Sequence, residues 1–256
     1  MELYVTLRVE EMVVIRLAVS GACGKMGSRI IALASKENDF RLVVALEAKG
    51  HPQIGKPIEG VKISDNSDEI KNADCLIEFT NPVATIEHSG LALKYKKPMV
   101  IGTTGLNEDE KARIKKAAQE IPIVFSPNMS IGVNLLFRLV KETASRLSDY
   151  NAGITEAHHV YKKDAPSGTA KRLAEIIKEN SGKEVGNIRS IREGEIVGDH
   201  KVVFDSPFDT VELSHSAKTR DIFAKGALEA ARFIVKQGPG LYDMQDVLLK
   251  QDEDAK

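Results

Sequence analysis

Hydrophobic positions along the chain fall into two regimes that change near Pro127. In the first, short apolar runs rich in β-branched residues alternate with stretches of helical period. Residues 13–20 (VVIRLAVS) read as a buried parallel strand, because a strand covered on both faces is apolar throughout rather than at every second position. A glycine-rich turn at 21–27 follows, and Ile30, Ile31 and Leu33 then recur at helical spacing within 28–36. Strands are predicted at 41–46, 75–79, 99–101 and 121–125. Helices are predicted at 83–95, opened by Asn81-Pro82, and at 108–119. Strand and helix in strict alternation make a parallel sheet with helices on both faces the economical arrangement.

Beyond Pro127 the pattern changes. Residues 131–147 form a long helical stretch, and 151–159 alternate polar and apolar positions as a half-buried strand does. A helix over 169–179 precedes strand-like segments near Ile188, at 197–204 and at 210–215, with Gly194-Glu195, Gly198-Asp199 and Pro207 suited to the connections. A last helix over 219–235 carries Phe223, Ala227, Ala230, Ala231 and Ile234 on one stripe. The expectation is two domains, one α/β with a parallel sheet over 1–127 and one built on a mixed or antiparallel sheet over 128–234, with the boundary near Pro127.

Composition narrows the function. Lys plus Arg number 36 against 37 for Asp plus Glu, a balance that argues against electrostatic binding of nucleic acid or an anionic membrane. Two cysteines, Cys23 and Cys75, form no C-x-x-C pair, so neither a disulfide framework nor a cysteine-rich zinc site is expected, and a reducing, cytoplasmic setting is. No apolar run is long enough to span a bilayer. Glu2, Glu10 and Glu11 interrupt the apolar start, which argues against a secretory signal; residues 1–12 read as an extension before the first strand.

Four segments carry candidate chemistry. Gly21-Ala22-Cys23-Gly24-Lys25-Met26-Gly27 lies between the first strand and helix, where glycines let backbone N–H groups approach a diphosphate at the helix N-terminus. An acid about 20 residues on, at the end of the second strand, binds ribose hydroxyls in such folds, and Glu47 stands there. Gly102-Thr103-Thr104-Gly105 and Ser126-Pro127-Asn128-Met129 each follow a strand and should rim the same crevice, although Thr104 or Asn107 could equally cap the next helix. The fourth segment runs from Glu156 through His158, His159, Lys162 and Lys163 to Ser167-Gly168-Thr169. Adjacent histidines on a strand point to opposite faces, so they do not form a metal pair. His158 and Lys162 share parity but lie roughly 13 Å apart if extended, so they line one pocket only if the chain bends after His159. The following helix N-terminus offers N–H groups to a carboxylate. Proton donor, cation and helix N-terminus together suit a small anionic substrate.

The glycine loop together with Glu156-Ala-His-His-Val-Tyr-Lys-Lys-Asp-Ala-Pro-Ser-Gly-Thr-Ala170 resembles the dihydrodipicolinate reductase family of lysine and diaminopimelate biosynthesis. The likeness continues through Gly102–Gly105, the stretches 192–200, 215–220 and 223–227, and Gly240-Leu-Tyr-Asp-Met244. The resemblance implies reduction of a cyclic imine dicarboxylate by NADH or NADPH. It makes His158 the proton donor, with Lys162 a second acid and charge partner, and gives substrate binding to His159, Gly168 and Thr169. Coenzyme contacts would come from Gly21, Ala22, Cys23, Gly24, Lys25, Met26, Glu47, Gly102, Thr103, Thr104, Ser126, Pro127, Asn128 and Met129. It further implies an α/β fold with a Rossmann-type parallel-sheet nucleotide domain over 1–127, to which a C-terminal segment, 235–256, returns, an α+β substrate-binding and oligomerisation domain with a mixed sheet over 128–234, and a homotetramer joined through the second-domain sheets. Where many members carry arginine after the acid, this chain has Ala48 and then Lys49, so Glu47 favours NADH while Lys49 could still serve NADPH. Met129 replaces a frequent aromatic residue. Competing readings are another Rossmann-type imino-acid reductase, such as an aspartate dehydrogenase-like enzyme, and a non-catalytic dinucleotide sensor, which has no need of His158 and Lys162.

Overall fold

A computed structural model describes residues 14–254, with side chains through residue 250. The extension expected over 1–12 lies outside the described residues. In chain order, β1 (Ile15–Ser20), α1 (Gly27–Ala34) and β2 (Phe40–Leu46) lead into two short strands, β3 (Pro57–Ile58) and β4 (Val61–Ser64). A 3₁₀ segment (Ser67–Asn72) precedes β5 (Cys75–Glu78), α2 (Pro82–Lys94), β6 (Met99–Ile101), α3 (Glu108–Ala117) and β7 (Pro122–Phe125). The remaining elements are α4 (Ile131–Arg146), β8 (Asn151–His158), α5 (Gly168–Ser181), β9 (Asn187–Arg192), β10 (Asp199–Asp205), β11 (Thr210–Ser216), α6 (Asp221–Ile234), β12 (Gly240–Tyr242) and α7 (Met244–Asp254).

Eight strands form one sheet in the order β12-β7-β6-β5-β1-β2-β4-β3, parallel except for the β3–β4 hairpin at its edge. Apolar residues on alternate faces of β1 explain its two coats. Leu17 and Val19 meet Ile30 and Ile31 of α1 and Ala227 and Ala231 of α6, whereas Ala18 lies with Ile86 of α2 and Ile114 of α3 on the other face. The order reverses at β1, which has β2 on one side and β5 on the other. The crevice above that point is where open α/β sheets bind ligands.

Differences from the sequence pattern have local causes. The β3–β4 hairpin is too short for period-2 alternation to register, and β12 is a half-buried Gly-Leu-Tyr without the apolar run that marks β6. β12 pairs with β7, which brings the C-terminal segment onto the first sheet, where Met244 and Val247 of α7 join its core. The apolar stripe of α6, counted in sequence with the second domain, packs on the first sheet against α1. Gly226 permits it: a Cβ there would lie 1.7 Å from the Met129 carbonyl oxygen. Gly198-Asp199 makes no turn, because Asp199 already pairs with Ser216 at the start of β10; the β10–β11 turn lies at Pro207. β11-β10-β8-β9 form a mixed sheet, antiparallel except for β8–β9. Its inner face (Ile154, Val202, Phe204) packs against Leu136 and Val140 of α4 and Leu173 and Ile177 of α5.

Candidate active site

The glycine loop is shaped by close approach. Gly21 has φ +74°, and a Cβ on it would lie 2.7 Å from the Phe79 carbonyl oxygen; a Cβ on Gly27 would lie 2.1 Å from the Gly21 oxygen. Only glycine brings α1 this near the end of β1. The start of α1 has no side-chain cap and no acid in its first turn, which leaves its N-terminus open to an anion. Glu47, one residue past β2, accepts the Cys23 N–H at 3.0 Å and the Ala48 N–H at 2.9 Å, and so ties the loop to the second strand. Burial, with the Glu47 carboxylate beside it, pushes the Cys23 thiol pKa up. His51 lies in the same cluster, its Nδ1 accepting the Gln53 N–H at 3.3 Å.

Three loops converge on a cavity of about 520 Å³. Lys25 and Met26 come from the first, Gly102, Thr103 and Thr104 from the second, and Pro127, Asn128 and Met129 from the third. A Cβ on Gly102 would sit 2.2 Å from the Phe79 ring, so glycine there lets the ring form the wall. Thr103 accepts the Thr80 N–H at 3.1 Å and the Thr85 hydroxyl at 2.9 Å, which fixes the second loop from beneath. Asn107 caps α3 in a capping box with Glu110, so this loop both lines the cavity and leads into a capped helix. Ser126 is buried and donates to the Asn128 carbonyl at 3.0 Å. Ala22 departs from expectation: it has no accessible surface and its N–H is spent on the Leu46 carbonyl, so it packs the loop and has nothing to offer a ligand. Phe79, Thr80, Arg220 and Phe223 line the cavity too and are not among the expected contacts.

On the second sheet, the inward parity of β8 points Glu156 and His158 to one side. Glu156 is fully buried and takes a fork from Arg192, Nη1 to Oε2 at 3.0 Å and Nη2 to Oε1 at 2.8 Å. His158 Nδ1 and the Ser167 N–H (3.3 Å) also bond to it. Burial works to raise the Glu156 pKa, but the Arg192, Ser190 and His158 hydrogen bonds overcome it and hold the carboxyl at about 2. An ionised carboxylate only accepts, so His158 Nδ1 carries the proton and Nε2 is left for exchange. Burial lowers the His158 pKa, Glu156 opposes that, and the charges of Lys162 and Arg192 assist it. His200 packs edge-on at 5.2 Å between ring centroids, and burial holds it neutral with a pKa of about 4.

The chain does bend after β8. The Lys162 N–H reaches the His159 carbonyl at 3.1 Å, and Lys162 Nζ pairs with Asp164 at 2.8 Å. Arg192 also donates to the carbonyls of Lys162 (3.3 Å) and Asp164, so one guanidinium holds both the buried carboxylate and the bend. Ser167 caps α5 by accepting the Ala170 N–H, leaving the Gly168–Thr169 end free of acidic side chains. Two contacts bring this half to the three-loop cavity: Asn128 Nδ2 to Thr169 Oγ1 at 3.2 Å, and Arg220 Nη2 to His159 Nε2 at 3.4 Å. Glu156 and Arg192 are not among the expected site residues, although the i, i+2 spacing of Glu156 and His158 on a strand is a signal for the first.

A glycine-looped, doubly wound sheet is thus joined to a mixed-sheet unit that carries His158, Lys162 and the Glu156–Arg192 fork. The family models described as dihydrodipicolinate reductase, N-terminus and C-terminus, match residues 15–129 and 132–248. The 4-hydroxy-tetrahydrodipicolinate reductase of Syntrophus aciditrophicus is 42% identical over 91% of this chain and 98% of its own length. That of Nitrosomonas europaea is 41% identical with the same coverage. A solved dihydrodipicolinate reductase from Paenisporosarcina sp. TG-14 superposes with a TM-score of 0.77 at 23% identity, covering 90% of this chain and 97% of that one. An amine dehydrogenase from Mycobacterium smegmatis shares the fold alone, with a TM-score of 0.64 at 10% identity over 89% and 94% of the two chains. The chain belongs to the dihydrodipicolinate reductase family.

Proposed function

We propose that the protein reduces 4-hydroxy-tetrahydrodipicolinate to tetrahydrodipicolinate in the lysine and diaminopimelate pathway, with a nicotinamide dinucleotide as reductant. The observation that carries this reading is the Arg192–Glu156–His158 chain built on a fully buried carboxylate, set beside Lys162 and the Gly168 and Thr169 N–H groups at the start of α5, in a family of this activity. A dinucleotide sensor has no use for an oriented, proton-exchanging histidine.

The glycine cradle and the three-loop cavity fit the coenzyme, which supplies hydride when bound. Lys25 and Met26, Gly102–Thr104 and Pro127–Met129 would hold it, with Gly21, Gly24, Cys23 and Glu47 on the diphosphate and ribose side. Gly168, Thr169 and His159 hold substrate carboxylates, and Lys162 supplies the opposite charge. Reduction builds electron density on the substrate, and His158 quenches it with a proton from Nε2 while Glu156 stabilises the imidazolium. Lys162 acts as the second acid.

Coenzyme use is dual. Ala48 offers no fork of donors for a 2′-phosphate, whereas Glu47 suits a free ribose and Lys49 supplies a charge. The assembly is a homotetramer in the cytoplasm, joined through the outer face of the mixed sheet, where Thr155, Lys201 and Ser214 stand opposite the helices. Oxidation of NADH and NADPH, dependent on substrate delivered by a coupled synthase, tests the function. Light scattering on the eluting protein tests the assembly.

A further inference from the structure

Asn134 of α4 is almost fully buried and has no part in the chemistry above, yet every hydrogen-bonding group of its side chain is used. Its Nδ2 donates to the Asn128 carbonyl at 2.8 Å and the Ser130 carbonyl at 2.9 Å. Gln245 of α7 donates from Nε2 to the Asn134 backbone oxygen at 3.0 Å and to its Oδ1 at 3.3 Å. On the far side of this prop, the Asn128 amide is oriented without ambiguity. Its Oδ1 accepts the Ser130 N–H at 2.9 Å, so Nδ2 is the atom that reaches Thr169 Oγ1. Thr169 then accepts from Asn128 and keeps its O–H proton for a substrate carboxylate.

We infer that Gln245 and Asn134 are positioning residues, which hold Asn128 so that its amide latches the coenzyme loop to the substrate end of α5 and thereby couples coenzyme binding to substrate binding. The inference rests on the proposed roles of Asn128 and Thr169. Four parts of the fold meet in this relay: the C-terminal helix, α4, the loop after β7 and the start of α5. A coenzyme against the Asn128 loop and a substrate against Thr169 would touch the two ends of this one link, which makes the coupling reciprocal.

Initial-rate kinetics varying both substrates give the dissociation constant of the coenzyme alone and with substrate present; their ratio is the coupling factor. Gln245→Leu removes the prop from a partly exposed helix, and Gln245→Glu keeps its reach but cannot donate to the Asn134 carbonyl. Both should lower the coupling factor by about 3- to 10-fold, the worth of one net hydrogen bond, while coenzyme affinity in the absence of substrate changes by less than about 2-fold. Thr169→Val should lower the coupling factor likewise, and Gln245→Leu should add nothing to it, because all act through one contact. Additive losses, or unchanged coupling in both Gln245 variants, overturn the relay. Wild-type turnover without coupling also overturns it but leaves the reductase reading standing, whereas no turnover by wild type overturns both.

Discussion

Replacing Glu156 by Gln removes the one anion that Arg192, His158 and the Ser167 N–H share. The carboxyl pKa is depressed from an ordinary value of 4.5 to about 2. At 1.36 kcal/mol per unit, that shift corresponds to about 3 kcal/mol of folding stability at neutral pH. Breaking a buried ion pair at one partner costs about 3–5 kcal/mol, so two independent routes agree. The pH dependence follows from the direction of the shift. A depressed carboxylate contributes stability that is fully present above its unfolded pKa and is lost as pH falls toward 2. Glutamine does not titrate, so the gap between wild type and variant should be about 3 kcal/mol at pH 7 and should narrow steadily below about pH 4.5. The chain has no tryptophan, so urea denaturation is best followed by far-ultraviolet circular dichroism across that pH range. A gap below about 1 kcal/mol at pH 7, or one that does not narrow in acid, refutes the assignment of Glu156 as a buried, ionised anchor.

Three other outcomes are expected. Gly24→Leu places a side chain where even a Cβ stands 3.1 Å from the Gly21 oxygen, so coenzyme fluorescence titration should show lost affinity in a folded variant. Ala48→Arg should move the kcat/KM ratio toward NADPH, and steady-state constants with both coenzymes measure it. Burial lowers the His158 pKa in the free enzyme, so the fall of kcat/KM with rising pH should have its midpoint below about 6.5. Arriving substrate carboxylates favour the imidazolium, so the corresponding midpoint for kcat should lie higher; pH–rate profiles of both constants decide it.

The parallel sheet was legible because its strands are buried on both faces: Leu17, Val19, Ile77 and Val100 face one coat and Ala18, Leu76, Met99 and Ile101 the other, so the strands read as apolar runs. The glycine loop was legible because Gly21 and Gly27 answer a steric demand no other residue meets. β3, with two residues, shows no period, and β12 (Gly-Leu-Tyr) lacks the unbroken apolar run that marks the equally short β6 (Met-Val-Ile). Arg220 and Phe223 reach the three-loop cavity only because α6 lies on the first sheet, a placement set by the Gly226–Met129 approach and invisible in local pattern. The Glu156–Arg192 fork follows from β8 and β9 pairing in parallel with His158 opposite Arg192, a register that spacing along one strand does not reveal. Ala22 sits in the glycine loop but faces the core, since a motif names neighbours along the chain and not the direction each faces.

The central claim is that His158 donates the proton in a nicotinamide-dependent reduction of the cyclic imine. Turnover of folded His158→Gln, set against wild type in the coupled assay, tests it most directly. The glutamine keeps polarity and reach but is no acid, so kcat should fall about 10²- to 10⁴-fold with KM little changed. Near-normal turnover in the variant, with the fold verified by circular dichroism, would contradict the account.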